Sequence, residues 1–189
     1  MKTTQLRHTI SWAVIACFFA ATMGGANAQM SRRGAGQNSS RSDSQPSPLV
    51  VAHQTLLQAA QLMESALPIY DGHRHRAIQL ARIAASQIVD AANGTPATSA
   101  ITGKTNAQRA ALVPKGTESE LTHFNSEQIA ASNIKIQQSL VLLQKAMAQC
   151  QSIGNDNAGH MAEAYNFAGY AIQAANKGLS FVASKNHTN

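Results

Sequence analysis

The sequence is short of several things, and each shortage excludes a class. Aromatic residues make up only 5% of the 189 positions and charged residues only 13%. Ala, Gln, Ser and Asn are plentiful instead. Such a composition disfavours β-sandwiches, whose strands draw on aromatic and β-branched residues, and suits packed helices. After the first thirty residues no run of twenty apolar residues occurs, which excludes a polytopic membrane protein. Cysteine is almost absent, with only Cys17 and Cys150.

What is present begins with an address. Lys2 and Arg7 precede an apolar stretch, Ile10 to Thr22, broken only by Ser11, and Ala26-Asn27-Ala28 forms an A-x-A exit. This order predicts a secretory signal peptide over 1–28 with cleavage after Ala28. Two other readings use the same residues: an uncleaved anchor helix, for which the segment is short, and a lipoprotein, since Val14-Ile15-Ala16-Cys17 loosely resembles a lipobox. The mature chain, Gln29 onward, is then exported to the periplasm or beyond. Loss of Lys2 and Arg7 leaves thirteen of the 15 basic residues against nine acidic ones, a mild excess. Cys150 remains alone, so no internal disulfide staples the mature chain and a packed core must hold it. About 160 residues can bury enough surface for that.

Residues 29–48 are rich in Ser, Gly, Asn and Gln and carry Arg32, Arg33 and Arg41; they read as a disordered linker. Four helical segments follow, over 49–66, 72–92, 126–150 and 157–183. In the third, Ile129, Ile136, Leu140, Leu143 and Met147 recur at helical steps, as do Ala164, Phe167, Ala171, Ala175 and Val182 in the fourth. In the second, Ala77, Leu80, Ala81, Ala84, Ile88 and Ala92 form a stripe so rich in Ala that helices can approach closely while burying little area each. Residues 93–125 read as a long connection without period, and 184–189 as a disordered tail.

The two halves resemble each other. Leu56-Leu57-Gln58-Ala59-Ala60 matches Leu142-Leu143-Gln144-Lys145-Ala146, and Gly72-His73 with Ala77 matches Gly159-His160 with Ala164. The offsets, 86 and 87, differ by one residue. The expectation is an all-α chain: an antiparallel four-helix bundle of two similar hairpins, 49–92 and 126–183.

One place is a candidate for chemistry. If the helices run up-down-up-down, both hairpin turns share an end, and His73, His160 and Cys150 gather there with Met63, Met147 and Tyr70 nearby. That donor set suits copper or another transition metal. The structural alternative is that each Gly-His pair shapes a helix start, the glycine allowing close backbone approach and the imidazole bonding a facing carbonyl. No His-x-x-x-His, Glu-x-x-His or Cys-x-x-Cys-His spacing supports a metal, and Glu64, Glu118, Glu120, Glu127 and Glu163 do not form a ferritin-like set. His53, His75, His123 and His187 are expected to be solvated.

Catalysis finds no footing. No Gly-x-Ser-x-Gly elbow occurs, no carboxylates are paired for glycoside cleavage, and Cys150 with His160 lacks an orienting third group. Arg74, Arg76 and Arg82 share a helix but are not interleaved with aromatics, so no nucleic-acid partner is expected. The sequence therefore reads as an exported, non-enzymatic binding or structural module with a protein or small-ligand partner. A metal- or cofactor-binding bundle using His73 and His160 is the alternative.

Overall fold

The computed structural model describes residues 46–119, 121–154 and 158–186. The expected signal peptide and nearly all of the expected linker lie outside them, as do the last three residues. The described chain is all-helical, with no strand among the described residues. Its elements are α1 (Pro48–Glu64), α2 (His73–Asn93), the short α3 (Thr98–Thr102) and α4 (Asn106–Ala111), a 3-10 turn (Leu121–His123), α5 (Ser126–Ile153) and α6 (His160–Asn186).

Local chemistry explains most boundaries. Ser47 caps α1, its hydroxyl accepting from the Val50 N–H, and Pro48 occupies the first turn, where its missing N–H is no loss. Asn125 and Gln128 form a reciprocal capping box at the start of α5. Gly94, in the left-handed conformation, ends α2. Gly72, at φ 70°, is the N-cap of α2, and no side chain caps that helix start.

The long helices bury the expected stripes. Ala77, Ala81 and Ala84 of α2 and Ala164, Ala168 and Ala171 of α6 are all buried. Leu56, Leu143 and Phe167 are fully buried, whereas Leu57, Leu142, Tyr170 and Phe181 only flank the core. Met63, Ile69, Tyr70, Leu80, Ile88 and Ile136 fill the rest.

Helix directions follow from contacts at their ends. Helix α1 packs on α2 and α5, and α6 packs on α2 and α5. At one end the Leu67 N–H donates to Ser132 Oγ at 2.8 Å, and Lys135 Nζ donates to the Ser65 carbonyl at 2.7 Å. The end of α1 thus meets the beginning of α5. Tyr70 and His73 approach Gly178, near the end of α6, while His160, at its start, bonds Gln87 and Thr95 at the end of α2. So α2 and α6 are antiparallel, and so are α1 and α5. The chain therefore runs up, down, down, up. The α1–α2 turn and the α5–α6 junction lie at opposite ends, because the connection after α2 crosses the length of the helices before α5 begins.

That connection is ordered structure, contrary to the reading of 93–125 as aperiodic. It carries α3, α4 and the 3-10 turn, with Ala97 and Ala110 buried. Helix α6 also continues to Asn186, past the expected end at 183.

Gly72 and Gly116 bring the start of α2 and the connection into close backbone approach. A Cβ on Gly72 would lie 2.2 Å from the Gly116 carbonyl oxygen. Gly94 has a similar φ but nothing within 4 Å of a Cβ. Both glycines relieve left-handed strain worth about 1–2 kcal/mol, but only Gly72 also avoids a backbone collision. Gly94→Ala is therefore expected to lower unfolding free energy by about 1–2 kcal/mol, and Gly72→Ala by clearly more, measured by urea denaturation. Equal losses would contradict the Gly72–Gly116 packing.

Candidate functional site

The sequence-predicted donors are not brought together. His73 starts α2 and His160 contacts Gln87; from His73 to Gln87 the helix rises about 21 Å, at about 1.5 Å per residue. Cys150 shares an end with His160, not with His73. Met63 and Met147 are likewise separated, near the ends of antiparallel α1 and α5. Among the described residues no group of three or more His, Cys, Asp or Glu side chains could hold a metal. Convergence of the Gly-His pairs required up-down-up-down order, and the crossover connection makes the order different.

Several of these residues have a visible structural role. His160 is fully buried, its Nε2–H donating to the Thr95 carbonyl at 2.6 Å and its Nδ1 facing the Gln87 amide at 3.1 Å. It ties the first residues of the connection to the start of α6, in the carbonyl-bonding manner weighed for it from the sequence. Tyr70, expected on a rim, is buried. Its hydroxyl donates to Asn133 Oδ1 at 3.0 Å and lies 2.7 Å from Ser132 Oγ. His75 is half-buried and packs on Gly116 instead of standing in solvent.

Cys150 is buried at the end of α5, and burial pushes its thiol up to about 11. At neutral pH it is a thiol, not a thiolate nucleophile. It borders a recess of about 420 Å³ that Met161 and Tyr165 also line.

Two carboxylates that the sequence placed only as isolated acids organise the connection. Glu118 is buried against the α1–α2 turn. Its Oε2 accepts from the Tyr70 and Gly72 N–H groups, and its Oε1 accepts from Arg74 Nε at 3.1 Å. Arg74 in turn donates through Nη1 to the carbonyls of Met63, Glu64 and Ala66. These carbonyls lie at and just past the end of α1, where a cation suits the helix dipole, and that of Met63 also accepts from the Ala66 N–H at 3.2 Å. Next to Glu118, the Ser119 N–H donates to the Pro68 carbonyl at 2.6 Å.

Glu163, in the first turn of α6, holds the other part of the connection. Its Oε1 accepts from the Ser99 N–H at 2.9 Å, and its Oε2 from Arg109 Nη1 at 2.6 Å. The Arg109 guanidinium lies 4.8 Å from the Phe167 ring centre. Burial raises the Glu163 carboxyl, but the bonds from Ser99 and Arg109 outweigh it and hold the group below its ordinary value. No motif announces either carboxylate.

Beneath α4 lies a smaller cleft of about 120 Å³, between α2 and α6, with His73, Arg76, Tyr170, Gln173 and Lys177 on its walls. No protein-family model, curated protein or solved structure shows significant similarity to the chain.

Two outcomes follow. A group with a depressed carboxylate pKa contributes stability that is present above its unfolded value and lost as pH falls through its folded value. Glu163 should therefore add stability above about pH 4.3 that disappears at lower pH. Glu163→Gln should cost about 2–4 kcal/mol near neutrality by leaving Arg109 without its counter-charge, and should flatten the acid limb of a stability–pH curve. An unchanged acid limb would remove Glu163 from this role. Cys150 should resist a maleimide in the native protein and react on addition of denaturant, with no disulfide dimer on a non-reducing gel; rapid native labelling would contradict its burial.

Proposed function

We propose that the chain is an exported, non-enzymatic module that works by binding. In this reading the leader is removed after Ala28, and residues 29–45 tether a four-helix bundle of α1, α2, α5 and α6. The two hairpins are copies packed antiparallel about a two-fold axis perpendicular to the helices. The paired Gly-His positions then face the far ends of α6 and α2 respectively, which is how such a dyad would distribute them. The place of action is the periplasm or the exterior, and the partner is a protein or a small ligand, not a nucleic acid.

One observation carries the non-enzymatic part. Glu118, Glu163 and His160, the buried groups best suited to acid–base work, are each committed to holding the connection against the helices. A general acid or base must instead be within reach of a substrate. No stretch of the described helices is long and apolar enough to cross a membrane. The binding part rests on a rigid frame with an accessible cleft, where ligands are held by a few converging polar groups against apolar walls.

The test is the N-terminus of the native product. Expressed with its own leader and recovered from the periplasm or medium, the protein should begin at Gln29 by N-terminal sequencing. A full-length chain retained inside the cell overturns the export reading. A start at Cys17 carrying lipid replaces the soluble module with a membrane-anchored one.

A further inference from the structure

The first turn of α2 reads His73-Arg74-His75-Arg76, four basic or titratable residues where the helix dipole is already positive. Such a turn is unfavourable unless anions compensate it. Glu118 compensates half of it, pairing with Arg74 and the turn's N–H groups. Arg76 has no such partner. It gives one N–H of Nη2 to the Ala110 carbonyl at 3.0 Å, which fastens α4 over the cleft. Neither Arg76 nor Lys177 forms an ion pair among the described residues.

The nearby carboxylate is already engaged. Asp71 meets Lys115 at 2.9 Å, and its carboxyl is held below its ordinary value chiefly by that lysine, with His73 and Lys185 adding to the effect. His73 responds in the opposite sense. Burial lowers its pKa, and Lys115, Lys177 and Arg76 lower it further against the opposing effect of Asp71. Lys115 contributes to both shifts, directly at Asp71 and second to burial at His73.

The cleft joins positive charge to an apolar floor. Arg76, Lys177 and Gln173 supply N–H donors, and Leu80, Ala174 and the alanines of α4 supply hydrocarbon. A cleft of about 120 Å³ has room for a charged head and a few carbons. We infer that the cleft between α2, α4 and α6 is a binding site for a short-chain carboxylate. Its head sits between Arg76 and Lys177, and its alkyl end lies against Leu80 and the α4 alanines. A planar guanidinium fork matches a carboxylate, and an unpaired cation pair in a half-enclosed cleft favours charge-assisted hydrogen bonds. The inference deepens the binding reading above and names its ligand class; the export test and the test below fail independently.

Butyrate is the probe, followed by two-dimensional NMR of the purified protein, with chloride keeping ionic strength constant. Butyrate should give saturable shifts at His73, Arg76 and α4 with a dissociation constant on the order of 1 mM, as expected for so small a ligand. Butyramide, which keeps the tail without the charge, and inorganic phosphate, which has charge without a tail, should bind at least about tenfold more weakly. Lys177 is exposed and makes no hydrogen bond that supports the fold, so Lys177→Gln should keep the parent circular dichroism spectrum and weaken butyrate about fivefold or more. Absence of a saturable response, equal binding of butyramide or phosphate, or an unaffected Lys177→Gln variant would each overturn the assignment.

Discussion

A single carboxylate on a crossing strap holds the architecture together. Glu118 enters the α1–α2 turn from the connection and accepts two backbone N–H groups that have no helical partner. It also orients Arg74, whose guanidinium closes the last turn of α1. One charge pair thus satisfies the start of α2, the end of α1 and the end of the strap together. Its worth lies less in the Coulomb attraction than in the number of buried polar groups that would be orphaned without it.

The strap is what makes the helix order possible. A short loop after α2 would return the chain antiparallel beside it. The connection instead travels from Thr95, beside His160, to Ser119, beside Pro68, and so delivers α5 to the same end as the α1–α2 turn. Fixing so long a connection is entropically costly. Small anchors distributed along it offset that cost: His160 on Thr95, Glu163 on Ser99 and Arg109, Arg76 on Ala110, and Glu118 on the turn. The same anchors leave a cleft under α4, because alanines there meet the helices without filling the space between them.

The helices were legible in the sequence because their apolar residues recur at helical steps, and Ala77, Ala81, Ala84 and their counterparts in α6 are indeed buried. The strap was not legible. Helices α3 and α4 have five and six residues, too short for a period to register, and helices of that length need tertiary support to persist. His75 is expected in solvent because it lies two residues from His73, on the opposite face; Gly116 of the strap packs against it instead. The donor group of His73, His160 and Cys150 depended on an end-to-end order that no local feature of residues 93–125 reveals.

The sequence by itself determined an all-α chain, the four long helices, and the Ala-rich stripes that let them pack closely. Those are properties of neighbouring residues: periodicity and side-chain size act within a few turns. Tertiary structure decided helix order, the separation of the two Gly-His pairs, and the tasks of Glu118, Glu163 and His160. These depend on partners 46 to 73 residues apart in the chain, and a hydrogen bond over such a separation leaves no pattern until the fold has placed both ends.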